Sequence, residues 1–162
     1  MSRVLTRLRA RYAETDQMGV VYYANYFVWM EVARVNHCRA LGFEYRDMER
    51  EAGAFLAVTE ASCRYRSSAR FDDEVEIETR VEDVRSRSLR FVYAMRRAED
   101  GRLLAEGHTL HTITDRAGSA IRMPERFRPY FAVREPSPSD PVVQPAQPLR
   151  HADVALGAQQ RE

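Results

Sequence analysis

Apolar and polar residues alternate at the start of the chain. Val4, Thr6 and Leu8 fall on one side of an extended backbone, and the arginines between and after them fall mostly on the other. A period of two is typical of a strand with one face buried and one exposed. The pattern predicts a half-buried β-strand over 3–12.

The pattern then changes to one that favours a helix. A loop over 16–19 is predicted by Gly19, because glycine takes backbone conformations that other residues avoid. The stretch 23–41 contains no Pro or Gly and stops before Gly42, which predicts a long helix with Asn25 or a neighbour near its N-cap. Its apolar residues cover most of the helix circumference, so we expect it to be surrounded by other elements.

Strand-like runs dominate the remainder, after a short helical stretch over 45–52. One strand, one long helix and then several strands predict an α+β fold with a largely antiparallel sheet. A single sheet covers such a helix on one side and leaves its own edges exposed, so we expect a homo-oligomer, a dimer or a tetramer. The four later strands are predicted at 54–65, 74–85, 88–97 and 103–114.

The C-terminal part has a different composition. Residues 134–162 contain five of the seven prolines and no aromatic residue. This predicts one folded domain over 1–133 and a Pro-rich, disordered tail over 134–162.

Charge and targeting signals limit the classes of partner. The 25 basic and 24 acidic residues nearly cancel, so no nucleic-acid partner is indicated. The longest apolar run, around 20–30, is too short to span a membrane, and the N-terminus lacks the apolar core of a secretory signal. We expect a cytoplasmic protein.

Several kinds of chemistry are excluded by residue type. All 25 basic residues are arginine, which rules out a P-loop lysine and the Schiff base of pyridoxal phosphate. Cys38 and Cys63 show no metal-binding spacing, and His108 and His111 would point to opposite faces of a strand. We predict no metal and no cofactor.

The stretch ETDQMGVVYYANY places Asp16 at the mouth of an uncharged, aromatic-rich segment. One interpretation is a turn-forming or helix-capping carboxylate. The other is a nucleophile, or a base that activates water, beside free N–H groups at a helix start that polarise a carbonyl. Both interpretations stay open from the residues alone.

This stretch resembles a family. An aspartate, two residues, Gly-Val-Val-Tyr, an aromatic or histidine, a small residue and Asn-Tyr running into a long helix are similar to the hot-dog-fold acyl-CoA thioesterases of the 4-hydroxybenzoyl-CoA thioesterase group. That group includes thioesterases associated with the Tol-Pal system. The resemblance covers about 3–130, with weaker support from RYRSSARFDDEVEIETRV and RSRSLRF.

The resemblance implies a helix wrapped by a five-stranded antiparallel sheet. It makes Asp16 the catalytic carboxylate and the backbone N–H of Tyr23 the donor to the thioester carbonyl. Tyr23 stands where the Tol-Pal-associated members usually have histidine, so a histidine-assisted mechanism does not transfer. Ser68 stands where relatives commonly have proline.

Further residues are candidates for substrate binding. Gly19, Val20, Tyr22 and Tyr26 adjoin Asp16 and would line an apolar pocket, although aromatic side chains on a buried helix more often pack in the core. Glu31 and Arg34 predict an intrahelical ion pair.

An arginine-rich turn precedes the strand at 88–97. Arg85, Arg87, Ser88 and Arg90 form either a solvated turn or a phosphate clamp. The resemblance favours a clamp for the nucleotide end of coenzyme A.

The leading hypothesis is an acyl-CoA thioesterase in which Asp16 acts as nucleophile or general base. A thioesterase acting on an acyl carrier protein would share this chemistry. A non-catalytic acyl-CoA-binding protein would share only the fold.

Overall fold

The computed structural model describes residues 3–131 and the backbone of 142–143. The predicted tail over 134–162 lies outside these residues, apart from 142–143. The chain folds as α+β, in the predicted order of strand, long helix, short helix and four strands. The elements are β1 (Arg3–Arg9), α1 (Asn25–Ala40), α2 (Tyr45–Ala52), β2 (Phe55–Tyr65), β3 (Glu74–Glu82), β4 (Ser88–Arg97), β5 (Leu103–Thr114), α3 (Arg128–Phe131) and β6 (Val142–Val143).

As predicted, five strands form one antiparallel sheet, and their order is β2-β5-β4-β3-β1. The two-residue strand β6, which the sequence did not predict, extends this sheet in parallel beside β1. The predicted bounds of β4 and β5 are confirmed, whereas β3 ends at Glu82, three residues early.

Alternation along β1 sorts its residues between the two faces of the sheet. Val4 and Thr6 are buried, whereas the arginines lie on the outer face, where Arg3 pairs with Glu78 at 3.1 Å. The prediction that β1 continues to Tyr12 is wrong. Residues Tyr12–Glu14 turn into a short 3-10 helix that leaves the side chain of Tyr12 77% exposed.

The helix α1 packs across the inner face of the sheet. Trp29, Met30 and Ala33 are buried against strand residues such as Phe91. On the opposite side of α1 the side chain of Val28 is 48% exposed, so one chain by itself does not surround the helix. Among the described residues, no helix combines the length and apolarity that crossing a bilayer requires.

Candidate active site at the Asp16 turn

Asp16 lies in a tight turn between β1 and α1. Its N–H donates to the carbonyl of Val20 at 2.9 Å, and its carbonyl accepts the N–H of Gly19 at 2.9 Å. Gly19 has a φ of 71°, a conformation that favours glycine. Asp16 Oδ1 accepts the N–H of Met18 at 2.8 Å. Within the described residues Oδ2 of this half-buried carboxylate makes no hydrogen bond or ion pair, so it is available to a substrate or to water.

The same turn occurs a second time in the chain. Asp115 donates its N–H to the carbonyl of Ser119 at 2.9 Å, and its carbonyl accepts the N–H of Gly118 at 3.0 Å. The N–H of Ala117 donates to Asp115 Oδ1 at 2.9 Å. Turn geometry alone therefore gives no evidence for catalysis by Asp16, and the surroundings of the two turns must distinguish them.

The long helix starts shortly after the Asp16 turn. The N–H of Tyr22 donates to the carbonyl of Glu14 at 2.8 Å, and α1 begins at Asn25. Among the described residues, the N–H groups of Tyr23 and Ala24 have no hydrogen-bond acceptor. Free N–H groups at a helix start carry partial positive charge and can stabilise a developing oxyanion.

The helix begins at Asn25 itself, so the neighbour of Asn25 occupies the predicted N-cap position. The N-cap is Ala24, which makes no side-chain cap. The amide Nδ2 of Asn25 instead donates to the carbonyl of Glu14 at 2.8 Å. The helix therefore starts two residues later than predicted. Its first residue is hydrogen-bonded to Glu14, the last residue of the 3-10 helix.

Glu14 is a site residue that the sequence did not reveal. Its carboxylate is buried and accepts hydrogen bonds from the backbone N–H of Arg11 at 2.8 Å and from Trp29 Nε1 at 3.2 Å. Arg11 Nη2 also donates to it at 3.0 Å. The only sequence signal was the three-residue spacing of Arg11 and Glu14, since Trp29 lies fifteen positions away.

The tyrosines of the motif have different surroundings. The side chains of Tyr22 and Tyr23 are 45% and 58% exposed beside the turn. The Tyr65 hydroxyl, from β2, donates to the carbonyl of Tyr23 at 3.0 Å, and burial raises the pKa of Tyr65, which keeps this donor neutral. Tyr26 is buried, and its hydroxyl accepts the N–H of Ala69 at 3.2 Å. In one subunit Tyr26 supports the site from the core.

The segment before β3 makes hydrogen bonds to the Asp16 turn and to the residue that follows it. The carbonyl of Ala69 accepts the N–H of Val21 at 2.8 Å. Arg70 Nη1 donates to the carbonyl of Gly19 at 3.4 Å. Val20 is half-buried, and Gly19 is exposed at the rim.

The arginine-rich turn lies at the other end of the subunit. At the Asp16 end, Arg9 of β1 pairs with Glu74, the first residue of β3. At the far end, Glu82, the last residue of β3, pairs with Arg90. Nine strand residues separate these ends by about 26 Å, at roughly 3.3 Å per residue. One subunit therefore does not bring this turn next to Asp16.

Within this turn the four predicted residues differ. Arg85 and Arg87 are exposed and form no ion pair with another described residue. The half-buried Arg90 lies 3.6 Å from Asp83 Oδ2. The carbonyl of Ser88 accepts the N–H of Arg85 at 2.8 Å, which closes the turn.

The predicted ion pair of Glu31 and Arg34 is absent from the ion pairs of the described residues. Glu31 is exposed. Arg34 instead affects a buried histidine. Burial lowers the pKa of His111, and the positive charge of Arg34 lowers it further.

Two surface grooves are formed by residues other than Asp16. One is lined mainly by charged side chains of β1, β3, the end of β4 and the adjoining turns, and the other lies among α1, α2 and Tyr130. Because an acyl pocket needs apolar walls, the charged groove does not suit an acyl group.

Comparison with known proteins adds independent evidence. The model of the Thioesterase-like superfamily matches residues 10–144. The acyl-CoA thioester hydrolase YbgC of Escherichia coli O6:H1 is 34% identical over 128 residues, 79% of this chain and 91% of that protein. The putative acyl-CoA thioesterase YneP of Bacillus subtilis is 43% identical over 76 residues, which cover 47% of this chain but only 54% of that protein.

A solved structure supports the same assignment. The DHNA-CoA thioesterase of Staphylococcus aureus matches with a TM-score of 0.74 and 35% identity, covering 80% of this chain and 85% of that chain. The resemblance and the hot-dog architecture inferred from the sequence are thereby confirmed.

Proposed function

Because the chain belongs to the Thioesterase-like superfamily, we propose that it hydrolyses acyl-CoA thioesters to a carboxylic acid and free CoA, with Asp16 as the catalytic carboxylate. The observation that carries this proposal is the free Oδ2 of Asp16, in a turn that leads into a helix start whose first N–H groups have no acceptor among the described residues. An acid and an oxyanion donor are the two groups that acyl transfer to water requires.

Two reaction routes fit this arrangement. As a general base, Asp16 takes a proton from water while the oxygen attacks the thioester carbon, and the C–S bond breaks as the CoA sulfur receives a proton. As a nucleophile, Asp16 forms a mixed anhydride and releases CoA, and water then hydrolyses the anhydride. In both routes the backbone N–H of Tyr23 stabilises the oxyanion.

The substrate-binding groups are assigned as part of the same proposal. Gly19, Val20 and Tyr22 would border the thioester, and Tyr26 would support them from the core. Arg85 and Arg87, together with Ser88 and Arg90, would hold the phosphates of CoA.

These assignments require a second copy of the chain, since the arginine turn and Asp16 lie at opposite ends of one subunit. The edge strand β2 and the exposed side of α1 offer the surface for it, with Val28 48% and Val58 52% exposed. We therefore propose a homodimer, which can assemble further into a tetramer, with sites shared between subunits. Cys38 and Cys63 are unpaired, which suits the reducing cytoplasm.

The test of the proposed function is Asp16→Asn, which keeps size and the turn but removes the basic oxygen. Asp115→Asn is the matched control, since it makes the same change in the same turn. Hydrolysis of an acyl-CoA panel by Asp16→Asn at the wild-type rate would overturn the proposal.

Assays on the same purified protein distinguish two alternative functions from the proposed one. A carrier-protein thioesterase would favour the carrier-protein thioester over the matched CoA thioester. A non-catalytic protein would bind acyl-CoA tightly without turnover at any chain length, and the free Oδ2 of Asp16 argues against it.

A further inference from the structure

We propose that Glu14 is a positioning residue that fixes the position of the Asp16 carboxylate relative to the first N–H groups of α1. This inference rests on the proposed function, because it assigns Glu14 a role only if Asp16 and the helix start act together. Glu14 itself does not face the substrate, since its side chain is only 6% exposed.

The Glu14 carboxylate ties the end of β1 to the body of α1. Oε2 accepts the backbone N–H of Arg11 at 2.8 Å, immediately before the 3-10 turn. Oε1 accepts Trp29 Nε1 at 3.2 Å, on the second turn of the helix. Trp29 is buried and packs on Tyr26 with ring centroids 4.9 Å apart, so this anchor is rigid.

The backbone of Glu14 makes a second connection to the same helix. Its carbonyl accepts the N–H of Tyr22 at 2.8 Å and Asn25 Nδ2 at 2.8 Å. Tyr22 and Asn25 flank the free N–H groups of Tyr23 and Ala24. Glu14 therefore fixes both sides of the predicted oxyanion donor.

Chain connectivity makes this geometry relevant to Asp16. Only Thr15 separates Glu14 from Asp16, and Thr15 pairs with Val21 across the base of the turn. A shift of Glu14 relative to α1 would change the distance between the Asp16 carboxylate and the N–H of Tyr23.

The buried carboxylate of Glu14 is not accounted for by its contribution to the stability of the fold. Within residues 3–131, Glu14 is the only acidic residue that is buried. Its single charged partner, Arg11, has a side chain that is 62% exposed. A buried carboxylate carries a desolvation cost, and an apolar side chain of similar volume is often at least as stabilising. Three directed hydrogen bonds supply geometry that an apolar residue cannot.

The test measures kcat and KM separately for Glu14→Gln, Glu14→Ala and Trp29→Phe on an acyl-CoA that wild type hydrolyses. Misplacement of a reacting group by about 1 Å costs on the order of 100-fold in rate. We expect kcat to fall roughly 10-fold in Glu14→Gln and Trp29→Phe and on the order of 100-fold in Glu14→Ala. KM should change less than about 3-fold, because the substrate-binding walls remain.

The matched control is Glu78→Gln, which removes another ion-paired carboxylate on the outer face of β3. It should keep wild-type kcat. Melting temperatures show which variants are folded at the assay temperature, so that a fall in kcat is not a loss of active protein. If Glu14→Ala fails to fold, the test rests on kcat of Glu14→Gln and Trp29→Phe. An unchanged kcat in both variants overturns the inference.

A double mutant separates this inference from the proposed function. If Asp16→Asn retains full activity, the proposed function fails. If Asp16→Asn is inactive but Glu14→Gln has wild-type kcat, only the positioning role fails. If Glu14 acts through Asp16, adding Glu14→Gln to Asp16→Asn should lower the residual rate less than about 2-fold, since residues that act as a unit are non-additive. A further 10-fold loss in the double mutant would overturn the positioning role.

Discussion

Asp16 and Asp115 form the same hydrogen-bonded turn, but only Asp16 is followed within ten residues by a long helix. Each carboxylate uses Oδ1 to fix its own turn. The difference between them is the helix start, whose free N–H groups come after the Asp16 turn. This pairing provides an internal comparison between a turn-forming aspartate and a candidate catalytic one.

The first prediction uses this comparison. Asp16→Asn should lower kcat for acyl-CoA hydrolysis by at least about 100-fold, a typical loss when an acid-base group is removed. Asp115→Asn should stay within about 3-fold of wild type, because asparagine also favours this turn. Steady-state assays of free thiol release measure both. Equal losses in the two variants would contradict a catalytic role.

The second prediction concerns the arginine turn. Arg85→Ala combined with Arg87→Ala should raise KM for acyl-CoA about 10-fold or more, because two guanidinium contacts to phosphate are lost. KM for a short thioester of the same acyl group without phosphates should not change. Arg46→Ala, on α2, is the control for loss of an exposed arginine. Equal effects on both substrates would point to a solvated turn.

The third prediction concerns assembly. Val58→Arg, on the edge strand β2, should shift the protein towards monomer, because it places a charge on an apolar surface that we propose a second copy covers. Sedimentation measures the change, and activity should fall with the fraction of oligomer. A monomeric wild-type protein with full activity would contradict shared sites.

The fourth prediction concerns packing. A Cβ at Gly107 would collide with the carbonyl of Ser62 and with the side chain of Met30. Gly107→Ala should therefore destabilise the fold by about 1–3 kcal/mol or more. A Cβ at Gly53 would meet no other atom, so Gly53→Ala should lower the free energy of unfolding only through the left-handed φ of 58°, by about 1 kcal/mol. Urea unfolding compares the two, and a smaller loss at Gly107 would be the contrary result.

The fifth prediction concerns pH. Burial lowers the pKa of His37 and of His111 to about 4 in the folded chain, against about 6.5 when unfolded. The unfolded state therefore binds more protons between these values, so stability should fall as the pH drops from about 6.5 to about 4. Each histidine accounts for on the order of 2–3 kcal/mol of this loss.

The variant that checks this pH dependence is His37→Leu. Among the described residues neither ring nitrogen of His37 makes a hydrogen bond of good geometry, and the nearby backbone of Thr79 offsets only part of the effect of burial on its pKa, so an apolar side chain should be tolerated at neutral pH. The variant should lose part of the acid destabilisation. Unfolding curves with the same pH dependence as wild type would contradict the assignment.

Much of the fold is encoded in local sequence. The alternation of Leu89, Phe91, Tyr93 and Met95 predicted β4, because a strand with one buried face repeats its pattern every two residues. The Asp16 turn was predictable for a related reason, since its hydrogen bonds join residues at most four positions apart. Such features need no knowledge of distant parts of the chain.

Other features depend on residues far apart in sequence and were visible only in the folded chain. Glu14 is buried, and its carboxylate accepts a hydrogen bond from Trp29, fifteen residues later, while its carbonyl accepts one from Asn25, at the start of α1. The separation of the arginine turn from Asp16 was set by antiparallel pairing of β1 with β3. Local patterns determine which face of an element is apolar, but only packing against distant elements determines which polar groups meet.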